Sequence, residues 1–323
     1  MTGRCCVVSI VIALAALLGC AEREAATIEG RPAGPYRLSL TLDPASPLPG
    51  AEIQLTWRMT HSKSAEPVTD LMVLHERVIH NFIVNLDFSS FAHIHHEDFR
   101  SLAPADLASA TFTFPYRFPS AGRYRIVSEF THGERSYTKH FDVSVGEVDD
   151  TARTATAPRL TARVDEYDAQ LRLSPVRPVA GYETEMVLEL ARAGQAVSNL
   201  ALHLGSEAHV ALWRDDGRDF GHTHSYTPHM AAMLATMHER DLSARDRSRR
   251  LADMMVTMMN MPAELVYPGP RVPLRYVFPS PGLYHVFVQC APGGQARAFH
   301  FVVEVAAYAT GINTEIESML DAR

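Results

Sequence analysis

Apolar runs of period two, divided by proline and glycine and recurring in both halves of the chain, predict an all-β protein with few helices. The class that fits is a pair of tandem antiparallel β-sandwiches, immunoglobulin-like or cupredoxin-like, the second with a helical methionine-rich insertion. The duplication is explicit. Residues 71–95 align without a gap on residues 200–224 at an offset of 129, and FPSAGRY from Phe118 is mirrored by FPSPGLY from Phe278 at an offset of 160. A repeat of this kind sets the architecture before any propensity is weighed.

At the N-terminus Arg4 precedes an apolar run from Val7 to Leu18, followed by Gly19 and Cys20. The run is shorter than the roughly 20 residues of a membrane-spanning helix, so residues 1–19 read as a secretory signal. Leu-Leu-Gly-Cys resembles a bacterial lipobox, which implies cleavage before Cys20 and acylation of its thiol. Ala21 after the cysteine implies sorting to the outer membrane, with the protein facing the periplasm. Residues 20–35 are then a lipidated tether and residues 36–146 the first sandwich. Residues 147–158, small, polar and without apolar pattern, are a linker to the second sandwich at 159–307. The tail, 308–323, places Ile312, Ile316 and Leu320 at helical spacing.

Both sandwiches begin alike. Leu38, Leu40 and Leu42 alternate ahead of Pro44, Pro47 and Gly50, and Ile53, Leu55 and Trp57 alternate after them; Leu171, Leu173, Pro175, Pro178, Gly181, Met186, Leu188 and Leu190 repeat the scheme. Further strands are expected over 78–86, 111–114, 124–130 and 141–145, with counterparts over 208–213, 272–278, 284–290 and 299–305. The rise in offset from 129 to 160 places 31 additional residues in the second half, within about 226–266. Eight of the 13 methionines lie there, and Met254, Met255, Met258 and Met259 follow the spacing of an amphipathic helix. Core packing accounts for that face; thioether binding of Cu(I) is the other expectation.

A net charge of −7 argues against a nucleic-acid partner. Cys5 and Cys6 depart with the signal and Cys20 carries lipid, which leaves Cys290 as the one free thiol and excludes an internal disulfide. A blue-copper centre would need that thiol with two imidazoles and an axial methionine close by. The sequence after it, APGGQARAF, supplies neither histidine nor methionine.

What repeats most cleanly is histidine: His80, His93 and His95 fall on His209, His222 and His224. Alternate strand residues project to one side, about 7 Å apart, so each His-x-His pair shares a face. The third histidine of each set starts a separate strand and reaches that face if the two strands are neighbours. Three neutral imidazoles suit Zn, Cu, Fe or Ni and leave a coordination position open. All three are kept between copies that otherwise match poorly, which favours a metal site in each half over polar edge residues inherited from a common ancestor. His96 points away from His95 by strand alternation, His229 is a weaker candidate ligand, and His140 and His300 read as structural. No catalytic residue is assigned.

In its lipobox, tandem β-rich halves, His-x-His pairs and FPSxGxY segments the chain resembles exported bacterial proteins with immunoglobulin-like domains related to metal handling, the YtkA-like and CopC-like domains. The resemblance implies a copper-handling protein of the cell envelope. It does not carry over the CopC site, which uses an N-terminal histidine where this mature chain begins with Cys20. The expected function is therefore a lipid-anchored binder of a transition metal, copper first and zinc second, that buffers, senses or delivers the ion; the protein partner is left open. The alternatives are a zinc-dependent hydrolase, since zinc lowers the pKa of bound water to about 7, and a metal-free sandwich that binds protein or glycan.

Overall fold

The computed structural model describes residues 24–133, 135–148, 156–198, 200–226 and 270–308. The expected signal, Cys20, the methionine-rich insertion beyond Tyr226, His229 and the C-terminal helix lie outside the described residues. The first half contains β1 (Ala26–Glu29), β2 (Tyr36–Asp43), β3 (Glu52–His61), β4 (Leu71–Met72), β5 (Ile79–Asn85), β6 (Phe91–Ile94), β7 (Thr111–Arg117), β8 (Gly122–His132) and β9 (Arg135–Val145). The second contains β10 (Thr161–Val164), β11 (Tyr167–Ser174), β12 (Glu183–Arg192), β13 (Gln195–Ala196), β14 (Leu200–Ala201), β15 (His209–Arg214), β16 (Phe220–His224), β17 (Arg271–Val277), β18 (Gly282–Pro292) and β19 (Arg297–Val305).

Each half is an antiparallel sandwich of immunoglobulin-like type. In the first, β1-β2-β3-β7 faces a sheet in which β8 pairs with β9 on one edge and with β4 and β5 on the other, and β6 adds to β5. The second half repeats this order with β10-β11-β12-β17 and with β19, β18, β14, β15 and β16. The predicted alternation fills the space between the sheets: Leu38, Leu40, Ile53, Leu55, Trp57, Phe112, Phe114 and Ile126 in one half, and Leu171, Met186, Leu188, Val272, Val286 and Val288 in the other. Cys290 belongs to this second core, where burial pushes its thiol up to about 12. That is a packing role, like that of its counterpart Phe130.

The repeated FPSxGxY segment is a corner. Gly122 and Gly282 take φ of 138° and 137°, a region open to glycine. Tyr124 and Tyr284 then fold back, each hydroxyl donating to the carbonyl of the serine four residues earlier at 3.0 Å. Phe118 and Phe278 plug the core beside them. A tyrosine hydrogen-bonded back to upstream backbone is a familiar device of such sandwiches.

One element departs from expectation. The segment expected to be tether contributes an edge strand, because Ala26 and Ile28 alternate inward and pair with Leu42 and Leu40 of β2.

The two sandwiches dock through the outer faces of their five-stranded sheets. Every residue of β5 is buried: Ile79 and Ile83 face their own core, whereas Phe82 and Val84 join Phe88, Val127, Ala211, Trp213 and Phe287 in a third apolar cluster drawn from both halves. Phe91 lies on Phe287 with ring centroids 4.5 Å apart, and Phe82 meets Phe220 at 5.2 Å. Burial of each large ring stabilises this contact by about 1.5–3 kcal/mol. Trp213→Ala is expected to cost about 3–5 kcal/mol in urea denaturation, against a change within about 0.5 kcal/mol for Val277→Ala on the exposed surface. Equal, small effects of both would contradict a docked interface.

Candidate metal centre

Strand parity carries the histidines into this interface. His80 shares a face of β5 with Phe82 and Val84, and His93 shares a face of β6 with Phe91. The antiparallel register sets Phe82 opposite His93 and Asn81 opposite Ile94, and two residues along from the first pair His80 comes beside His95 on the same face. In the second half the register pairs His209 with His224 and Ala211 with His222. All six sequence-predicted ligands thus sit on the docked face, at its end, and are buried or partly buried.

His80, His93 and His95 converge. His95 Nε2 lies 3.0 Å from both His80 Nδ1 and His93 Nε2, and the last two are 3.2 Å apart. The other nitrogen of each ring faces an acceptor: His80 Nε2 donates to Leu74 O at 3.1 Å, His93 Nδ1 to Gln289 Oε1 at 3.0 Å, and His95 Nδ1 to Asp98 Oδ2 at 2.8 Å. A neutral imidazole has one N–H, so these outward bonds leave three bare lone pairs pointing at one another. Three lone pairs at this distance repel. A cation between them reverses the sign, and nitrogens about 2.0–2.1 Å from a tetrahedral ion stand about 3.3 Å apart. Acceptors on the far ring nitrogen are the usual means of fixing a ligating histidine.

Electrostatics keeps the rings neutral. Burial, reinforced by the neighbouring imidazoles, holds His80 and His93 well below the ordinary histidine range. Burial also lowers His95, although Asp98 opposes it through its hydrogen bond and charge. Burial alone would raise Asp98; the His95 hydrogen bond, with Arg77 adding its charge, brings it down to about 2. Asp98 also accepts the backbone N–H of His95 at 2.9 Å, so one carboxylate fixes both backbone and ring. His96 turns away to Asp106, 3.4 Å distant.

The second half is arranged differently from the self-contained trio expected of it. His209 and His224 gather with His75, a residue of the first half, and one ring nitrogen of each lies within 4.8 Å of the others. His222 is 4.4 Å from His224, ring to ring, and its Nδ1 donates to Glu129 Oε2 at 2.7 Å. His75 Nδ1, His209 Nδ1, His222 Nε2 and His224 Nε2 are all buried without a hydrogen-bond partner. Burial, then repulsion from His222, takes His75 down to about 4; burial and the adjacent imidazoles hold His209 and His224 well below the usual range. A pocket of about 140 Å³, lined in part by His75, His80, Glu129, His222 and His224, adjoins both sets.

The orienting shell is duplicated too. His209 Nε2 donates to His203 O at 2.9 Å, the counterpart of the bond from His80 to Leu74. Gln289 of the second half orients His93 of the first, and Glu129 of the first orients His222 of the second. Glu129 and Gln289 correspond at the offset of 160, five residues after the tyrosines that end the repeated FPSxGxY segments, so alignment with strand parity could have found them. His75 leaves no such trace, because its counterpart is Leu204. Elsewhere, a groove of about 750 Å³ along β10–β12 holds charges already paired, such as Arg271 with Glu189 at 3.1 Å.

A family described as a domain of unknown function (DUF8832) matches residues 33–147 and 162–307. That match lends no support to the resemblance to YtkA-like and CopC-like domains. No curated protein matches the chain. Among solved structures, the Escherichia coli adhesin FdeC is similar at 8% identity over 89% of this chain and 83% of its own, with a TM-score of 0.23. A putative membrane anchored protein from Corynebacterium diphtheriae gives 11%, 85%, 60% and 0.21, and the fibronectin(III)-like modules of Clostridium thermocellum CbhA give 11%, 83%, 94% and 0.19. At these TM-scores they carry no functional information for this chain.

Acidification tests the buried neutral rings. Their folded pKa values are depressed, so the stability linked to them is present above the unfolded value of about 6.5 and lost as pH falls below it, at up to about 1.4 kcal/mol per pH unit for each ring. The urea midpoint of metal-free protein should be nearly flat from pH 8 to 7 and drop steeply from 6.5 to 5.5. A midpoint unchanged at pH 5.5 would place these rings in water.

Proposed function

We propose that this chain, which belongs to the DUF8832 family, is a cell-envelope protein that binds a transition-metal ion between its two sandwiches through His80, His93 and His95. The observation that carries the reading is the meeting of three imidazole lone pairs 3.0–3.2 Å apart, each fixed by an acceptor behind its ring. Packing alone gives no reason to aim three acceptors at one point in a buried interface, where unpaired polar atoms are costly.

Copper is the first ion in this reading. An all-imidazole set of borderline softness binds Cu²⁺ ahead of Zn²⁺ in the Irving–Williams order. Zinc is the alternative. A hydrolytic role draws less support, since the carboxylates beside the rings, Asp98 and Glu129, are both engaged in orienting histidines. Anchoring through acylated Cys20 places the protein at the outer membrane, and its task there is to buffer, sense or hand on the ion.

Elemental analysis of the purified chain after loading with Cu²⁺ or Zn²⁺ and desalting tests the proposal. Retained metal should fall by one ion per chain in His93→Ala or His95→Ala. Asp98→Asn should keep the ion but weaken it about 10–100-fold, because the amide no longer reliably accepts from the His95 ring. If the chain retains neither metal, the metal-free sandwich is the correct reading.

A further inference from the structure

We propose that the interface holds a second metal ion, shared by the two halves: His75 of the first half with His209 and His224 of the second. It rests on the reading of the interface as metal-binding and turns one ion into an adjacent pair.

His75 is presented by a tight turn. Leu74 and Arg77 exchange backbone hydrogen bonds of 2.9 Å in both directions, and His75 and Glu76 between them take φ of 46° and 65°. Two consecutive residues at positive φ make a primed turn, normally the province of Asn and Gly. The second half has the same turn, from His203 to Ser206, with Leu204 at 53° and Gly205 at 70°. There the chain uses glycine at the second position, whereas the first half tolerates Glu76 and spends its first position on histidine. Bulky residues in the left-handed region mark places where the surrounding structure dictates the conformation.

From that turn His75 crosses the boundary. Its ring stacks on His224 at 3.9 Å and meets His209 edge-on at 5.4 Å. Each of the three rings has a buried nitrogen without a partner, and His209 is already fixed by its bond to His203 O. One nitrogen from each ring lies within 4.8 Å of the others, and three gathered imidazole nitrogens are the donor set that a Cu or Zn ion takes. The two sets lie side by side: His93 is 5.5 Å from His209 and His75 is 6.3 Å from His80, ring to ring. His222 stands between them, 4.4 Å from His224 and 5.9 Å from His80. Since its ligands come from both halves, the second ion also ties the sandwiches together.

The test is metal stoichiometry of the full chain loaded with Cu²⁺, with electron paramagnetic resonance on the same samples. Wild type should retain two ions and give a spectrum broadened or silenced by their proximity. His75→Leu, which installs the residue its own repeat carries at the same turn position, should retain one ion and give a sharp mononuclear spectrum. His224→Ala, altering the second half alone, should do the same. Two ions in His75→Leu with loss of one in His222→Ala would assign the second site to the second half alone and overturn the shared site. A single ion in wild type, lost in His93→Ala and indifferent to His75→Leu, would overturn the second site but leave the first. No bound ion in wild type would overturn both.

Discussion

The structure depends on one constraint: each five-stranded sheet has two faces to bury, and the second is buried only against the other half. Phe82, Val84, Trp213 and Phe287 supply the apolar area for that contact. The histidines lie on the same strands at the same parity, and so are drawn out of water with them. Removal from water lowers the proton affinity of His80, His93, His95, His209 and His224 and leaves neutral rings with free lone pairs. A solvated sandwich face would have left the same residues as ordinary surface histidines.

Docking also decides how the rings are turned. His93 is oriented by Gln289 and His222 by Glu129, each across the boundary and at matched positions of the repeat. Neither half orients its own set unaided. The symmetry is incomplete in chemically meaningful places: an amide stands behind one ring and a carboxylate behind the other, and a carboxylate makes the ring a stronger donor. His75 occupies a turn whose counterpart carries Leu204. Two copies that began as equals therefore frame two different environments in one cavity.

Much of the fold was legible because period-two alternation and turn residues are local. Strands such as Tyr124 to Phe130 and Phe299 to Val305 lie inside the observed β8 and β19, with only their ends longer. The six predicted histidines were legible because duplication compared two copies within one chain. Glu129, Gln289 and His75 were not found: the first two act only across the docked faces, and the third has no repeat partner.

The amino-acid sequence by itself determined the two sandwiches, their corners and the parity that places His80, His93, His95, His209, His222 and His224 on the outer faces. Those follow from backbone geometry and from burial of alternate side chains within each half. Only the tertiary structure decided that the outer faces meet, that His222 is held by Glu129 and that His75 joins the second set. These are contacts between residues about 90 to 200 positions apart, and no local pattern encodes which sheet face will find which.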